Sequence, residues 1–227
     1  EQTIKHIFVE KLHQEIVEIM KLIRAKMPCR TVPVDKAKAS EIWDSRFQGK
    51  QIKRVIIYLR SSGCSWVVGT KEGRTHLKAG CLDCVHCLSN TTFGVPISAD
   101  LYITQFKNEY KNFNFSDYPM ICIYNEGNFF NENELPRKAR KEILKSIGNE
   151  PNIKAVILES LPEFITDDLL HETKEILGSR YVEIGIGLES STPLIRKLCI
   201  NKSYDLEQFK KATDLVNRYF KTLAYVL

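Results

Sequence analysis

Apolar residues recur along this chain with two different periods. Over residues 3–27 they fall at steps of three and four (Ile4, Phe8, Leu12, Ile16, Ile19, Leu22, Ile23). That spacing predicts an amphipathic helix with one apolar face, closed by Pro28. Residues 28–50 hold no sustained period and read as a connector, with Trp43 expected to anchor it to the main body. Beyond it, short β-branched runs alternate with amphipathic stretches. Residues 54–60 (RVIIYLR), 119–125 (PMICIYN), 154–159 (KAVILE), 181–188 (YVEIGIGL) and 222–227 (TLAYVL) predict strands. The first is a continuous run, as in a strand buried on both faces. Helices are predicted over 98–112, 135–147, 192–198 and 205–219, and from a cap at Thr166–Asp167 to Gly178. Pro136 suits a first turn, and Asp205 a cap.

β-α units repeating at about 30 residues imply a parallel sheet with helices outside it. A complete eightfold barrel needs roughly 250 residues. The expected fold is therefore α/β: a partial (β/α)6-type TIM barrel of parallel strands with an N-terminal helical extension, the C-terminal part of the barrel missing. Residues 1–50 form the helix and connector, and residues 51–227 the partial barrel. The chain opens on Glu1 rather than Met and closes on an apolar strand, an edge that natural domains avoid. A missing start and at least one further β-α unit beyond Leu227 are expected.

Composition narrows the class. A hydrophobic share of 43% and a charged share of 27% are ordinary for a soluble globular protein. No apolar run reaches the roughly 18 residues of a membrane span, and no signal peptide is visible. No membrane partner and a cytoplasmic location are expected. The net charge of +5 suits a nucleic-acid partner but is also what solvated lysines give. Seven cysteines, odd in number and clustered, argue for a reducing compartment. Cys29 stands apart. Cys122 and Cys199 lie in apolar stretches and read as packing residues.

In parallel β/α folds the chemistry sits at the carboxyl ends of the strands. Here those ends are Ser61–Cys87, Asn125–Asn128, Glu159–Ser160 and Glu189–Ser190. Thiolates suit zinc, copper(I) or iron–sulfur clusters. Four cysteines, or three with His76 or His86, could close a structural zinc site. The spacing Cys81-x2-Cys84-x2-Cys87 is tighter than the two separated pairs of most zinc knuckles, and the loop hangs at the catalytic rim. Both features favour a cluster on three thiolates with one iron left open. The acids have plainer readings: Glu159 and Glu189 as structural partners of lysines or helix amino termini, and Arg137–Lys141 as a solvated face.

The loop resembles the radical S-adenosylmethionine (SAM) superfamily, although its spacing departs from the usual C-x3-C-x2-C. It is more similar to the radical SAM subunit of archaeosine synthase and its bacterial relatives, kin of the Elongator catalytic subunit. Leu59-Arg60-Ser61-Ser62-Gly63-Cys64-Ser65-Trp66 and Gly80-Cys81-Leu82-Asp83-Cys84 stand where that group has Leu-Arg-Thr-x-Gly-Cys-x-Trp and Gly-Cys-Thr-x-Cys. The likeness continues through Tyr124–Phe129, Glu159–Phe164, Glu183–Ser190 and Ile200–Lys202, with Ser203 in place of a glycine.

This resemblance implies a [4Fe–4S] cluster on Cys64, Cys81 and Cys84, with Cys87 the competing third ligand. It implies that Asn125, Glu126, Gly127 and Asn128 receive the amino group of SAM. Glu159, Glu189 and Ser190 would complete the cofactor site, with Arg196 and Lys202 candidates for the SAM carboxylate. The implied activity is reductive cleavage of SAM to a 5′-deoxyadenosyl radical that abstracts hydrogen from a substrate, the bond chemistry belonging to the cofactors. The electron would come from a donor such as a ferredoxin or flavodoxin. The implied substrate is a tRNA base of the archaeosine type, or alternatively a small molecule or peptide. A zinc-binding α/β module without catalysis is the reading from another class.

Overall fold

The computed structural model describes residues 2–27, 32–69, 77–82 and 91–227. The alternating runs pair into one six-stranded sheet whose strands lie side by side in chain order. These are β1 (Ala39–Phe47), β2 (Lys50–Tyr58), β3 (Met120–Tyr124), β4 (Ala155–Glu159), β5 (Tyr181–Glu189) and β6 (Lys221–Val226). From β2 onward every pairing is parallel, and β1 runs antiparallel to β2. The helices are α1 (Gln2–Lys26), α2 (Ser65–Val68), α3 (Ala99–Tyr110), α4 (Arg137–Gly148), α5 (Asp167–Leu177), α6 (Pro193–Ile195) and α7 (Leu206–Val216). The result is an α/β fold with a mostly parallel sheet. No helix among the described residues is long and apolar enough to cross a membrane.

β1 lies where the hydrophobic pattern predicts only a connector. Most of its side chains are exposed, so no buried face announces it. Its backbone pairs along the whole of β2, from Ala39–Tyr58 to Phe47–Lys50. The turn between them is Gln48–Gly49, both with positive φ (49° and 77°), which matches the twist of a two-residue hairpin. Trp43 does not anchor it: the ring is 51% exposed, with the Arg54 guanidinium 6.0 Å from its centre.

Strand alternation sorts the sheet into two faces. Val55, Ile57, Ile121, Ile123, Val156 and Leu158 join the main core, together with residues of α3, α4, α5 and α7. The residues between them, Ile56, Cys122 and Ile157, form a separate apolar layer with Tyr58 and Tyr124 at its margin. Cys122 is the packing residue its context suggests, and burial pushes its thiol up to about 12. Cys199 is exposed instead, because in the π-helical turn Arg196–Ile200 it is Arg196 and Ile200 that face inward.

Two charged elements pack differently from their sequence pattern. The run on α4 is not wholly solvated, since the helical period turns Arg140 inward beside Ala139, Ile143 and Leu144. Fully buried, Arg140 lies 3.1 Å from Glu132 and 3.6 Å from Glu172, and Glu172 also holds Arg137 and Lys141. On α1 only part of the apolar stripe turns inward: Leu12 and Ile16 are half-buried, Phe8, Ile19 and Leu22 are exposed, and Arg24 is completely buried.

Candidate functional site

A parallel sheet delivers the carboxyl end of every strand to one rim, and a cavity of about 210 Å³ opens there. The segment after β2 contributes Cys64 and Trp66 and returns with Cys81. The turn after β3 contributes Glu126, Gly127 and Asn128, and the end of β4 contributes Glu159 and Ser160. β5 supplies Gly185, Gly187 and Glu189, Tyr225 comes from β6, and Lys202 from beyond the π turn. Cys64, Cys81, Glu126, Gly127, Asn128, Glu159 and Glu189, all nominated from sequence, thus share one cavity.

Three nominated residues do not line it. Asn125 is fully buried, and neither of its amide atoms has a partner among the described residues. Its nitrogen lies 3.7 Å from where a Cβ on Gly127 would sit. The Ser190 hydroxyl oxygen accepts the Thr192 N–H at 3.1 Å. Arg196 donates to the carbonyls of Leu188, Ser190 and Tyr204, pinning the turn after β5. Cys29, His76, Cys84, His86 and Cys87 lie outside the described residues. Among the described residues no three His, Cys, Asp or Glu side chains gather as a metal site.

Local geometry explains how the thiol loop is held. Gly63 has φ +100°, and a Cβ there would meet Val68 at 3.0 Å, so a side chain is excluded just before Cys64. Asn128 Nδ2 lies 3.8 Å from the Cys64 sulfur as a donor, while its Oδ1 accepts the Leu161 N–H at 2.7 Å. Behind this pair sits Glu134, which no motif nominates. Its buried carboxylate accepts from Ser65 N–H at 2.8 Å, from Asn131 Nδ2 at 2.8 Å, and from both the backbone and the side chain of Asn128. Burial raises its pKa, and those donors oppose the rise. A Cβ on Gly127 would overlap this carboxylate, so the glycine follows from close packing.

The acids carry strained backbone. Glu126 and Glu189 have positive φ of 51° and 60°. Glu126 pairs with Lys38, and its second oxygen is buried with no partner among the described residues. Glu189 lies 2.8 Å from Lys202, their side chains only 12% and 7% exposed. Burial draws the Lys202 ammonium down, but Cys81, Tyr204 and Glu189 outweigh it and its pKa ends raised. The cavity therefore presents a cation beside an anion.

Tyr225 also escapes the motifs. Its ring lies across Gly185, where a Cβ would fall 2.6 Å from the phenol oxygen. That oxygen is 3.3 Å from the hydroxyl of Tyr124, whose ring is 5.6 Å from Tyr58. A larger hollow of about 700 Å³ lies at the opposite ends of the strands, beside Lys154, Tyr181 and Lys221, and no cysteine lines it.

Comparison with known proteins finds similar archaeal chains. The chain is 33% identical over 210 residues to an uncharacterized protein of Methanocaldococcus jannaschii, a match that spans 89% of this chain and 54% of that protein. It is 27% identical over 219 residues to a Methanosarcina acetivorans protein named archaeosine synthase subunit beta, spanning 95% of this chain and 58% of that protein. A stretch of 98 residues is 25% identical to archaeosine synthase subunit beta of Thermococcus kodakarensis, covering 43% of this chain and 30% of that one. The chain spans a little over half the length of the first two, 54% and 58%. No protein-family model matches the chain, and no solved structure matches it.

Proposed function

We propose that this chain is the cluster- and SAM-binding part of a radical SAM enzyme of the archaeosine synthase subunit beta type. In this reading residues 51–227 are part of a (β/α)6-type barrel, and residues 1–50 its N-terminal extension. Two features support the barrel: strand order follows chain order without the reversal of a doubly wound sheet, and α3, α4, α5 and α7 share a core with one sheet face. The observation that carries the function is convergence. Cys64 and Cys81, far apart in sequence from Glu126, Glu159 and Glu189, line the same cavity at the carboxyl rim.

The residues present suit an iron–sulfur cluster and SAM. Thiolates are soft ligands for iron, and an amide such as Asn128 Nδ2 beside Cys64 is the kind of donor that tunes sulfur. The reading takes Cys64, Cys81 and Cys84 as ligands, Cys87 being the competitor for the third place. The buried second oxygen of Glu126 offers an acceptor to an ammonium, and Lys202 offers a cation to a carboxylate. Such a pair fits the zwitterionic end of an amino acid. Ser160, 5% exposed with an unpartnered hydroxyl among the described residues, adds a polar group to the cavity wall. When bound, the cluster and SAM supply one-electron cleavage of a sulfur–carbon bond and hydrogen abstraction. The chain's own part is to hold the thiolates, orient the amino-acid end and exclude water with Trp66, Leu161 and Tyr225. A reduced ferredoxin or flavodoxin serves as electron donor, and the substrate is a tRNA base of the archaeosine type.

The test is iron and sulfide content of anaerobically purified protein, followed by assay of 5′-deoxyadenosine after dithionite reduction with SAM. Iron, sulfide and released deoxyadenosine support the reading. Stoichiometric zinc with no deoxyadenosine overturns it.

A further inference from the structure

Three consecutive carbonyls of the cysteine segment, those of Ala79, Gly80 and Cys81, are each captured by a side chain from elsewhere in the chain. Arg24 of α1 donates through Nε to Ala79 and through Nη2 to Cys81. Asn201 donates through Nδ2 to Gly80 at 2.8 Å. Gly80 between them has φ +63°, and a Cβ there would fall 2.6 Å from Val67 Cγ2. The backbone is thus held from both sides while Cys81 lines the cavity.

The holders are themselves fixed. Arg24 is fully buried, so its fork works out of solvent, where charge-assisted bonds are strong. Asn201 is 4% exposed with φ +52°, a left-handed conformation that asparagine tolerates. Its Oδ1 accepts from His13 Nε2 at 2.8 Å, and its carbonyl accepts from Trp66 Nε1 at 3.1 Å. His13 again belongs to α1, and Lys197 pairs with Glu10 one turn earlier on that helix. The side of α1 that turns inward therefore mixes Glu10, His13 and Arg24 with half-buried Leu12, Ile16 and Met20.

We infer that α1 is part of the thiol site: Arg24, with Asn201 steadied by His13, presets the Ala79–Cys81 turn so that the Cys81 sulfur is aimed before any ligand arrives. They are positioning residues, acting through the backbone of Cys81. The link to cluster binding rests on the function proposed above. The preset turn itself does not.

The experiment follows alkylation of Cys81 by iodoacetamide in the full chain, as purified and after chelation, with peptide mass spectrometry resolving each cysteine. Cys81 is 7% exposed, so labelling requires local opening. Losing charge-assisted bonds in Arg24→Met raises that rate about tenfold or more. Arg24→Lys, which keeps the charge but cannot fork between two carbonyls, restores only part of the protection. Cys122, fully buried in the sheet, reports global unfolding and keeps its rate. If both cysteines label faster in Arg24→Met, the variant has unfolded, and Asn201→Gly, which tolerates the same φ, decides by the same reading. Unchanged Cys81 labelling in a folded variant overturns the proposal.

Anaerobic reconstitution of the same variants supplies a second readout, the visible absorption and iron content. A wild type that takes no iron ends the function proposed above and leaves the labelling result standing. A wild type that takes iron, with Arg24→Met equal to it in both iron and labelling, ends this one.

Discussion

The backbone N–H of Ser65 donates to the Glu134 carboxylate at 2.8 Å, joining the residue after Cys64 to a side chain 69 positions along the chain. Glu134 accepts N–H donors from Ser65, Asn128 and Asn131, and the Ser65 hydroxyl also bonds to it. A carboxylate is the side chain that accepts from all of them and donates to none.

Glu134→Gln keeps the shape but turns an NH₂ toward those donors. Stability is expected to fall by about 2 kcal/mol, and Glu134→Ala by about 3 kcal/mol, because buried donors lose their acceptor. Urea denaturation checks this, with exposed Glu163→Gln as the control, expected within about 0.5 kcal/mol of wild type. Equal midpoints for Glu134→Gln and the control would show that the network does not hold the thiol loop.

A second relationship concerns β5 and β6. Since the Tyr225 ring lies where a Cβ on Gly185 would be, Gly185→Ala forces that ring away from Tyr124. Overpacking of this kind costs about 1–3 kcal/mol. Tyr225→Ala removes the obstacle, so the double variant should be more stable than the sum of the single changes allows. A double-mutant cycle by thermal or urea denaturation measures the coupling, and additive effects would contradict the contact.

Most of the strand–helix order was legible because strands and helices differ in period, and caps such as Thr166 and Asp205 mark helix starts. β1 was not, because it is held by a backbone ladder rather than by a buried face. At the site, residues in strand-end motifs could be nominated one motif at a time. Arg24, Glu134, Asn201 and Tyr225 could not be given their roles, since each acts on a partner distant in sequence: Ala79, Ser65, Gly80 and Tyr124. Arg140 shows the same gap. A basic run reads as solvated until the helical phase turns one member inward.

The ligand set proposed for iron yields a direct contrast. Cys64 and Cys81 line the cavity, so Cys64→Ala is expected to lose nearly all iron after anaerobic reconstitution. Cys87→Ala should retain most of it. Iron-to-protein ratio and visible absorption give the answer, and iron retained by Cys64→Ala with loss in Cys87→Ala would reverse the assignment.

Glu172 sits between α4 and α5, 2.6 Å from Arg137 and 3.0 Å from Lys141, with buried Arg140 at 3.6 Å. Burial works to raise its pKa, but bonds and charge from Arg137 and Lys141 outweigh it and bring the carboxyl down to about 2. A carboxyl lowered on folding stabilises the native state above its ordinary value of 4.5, and that contribution fades as pH falls toward about 2. Glu172→Gln should therefore be less stable than wild type at pH 7 by about 2 kcal/mol, a figure reduced for solvent screening of the exposed Arg137. The two proteins should converge as acid is added, because protonated Glu172 no longer attracts its cations. Urea midpoints between pH 7 and about 2.5 would trace this. A constant gap across that range would mean that packing, rather than charge, makes Glu172 matter.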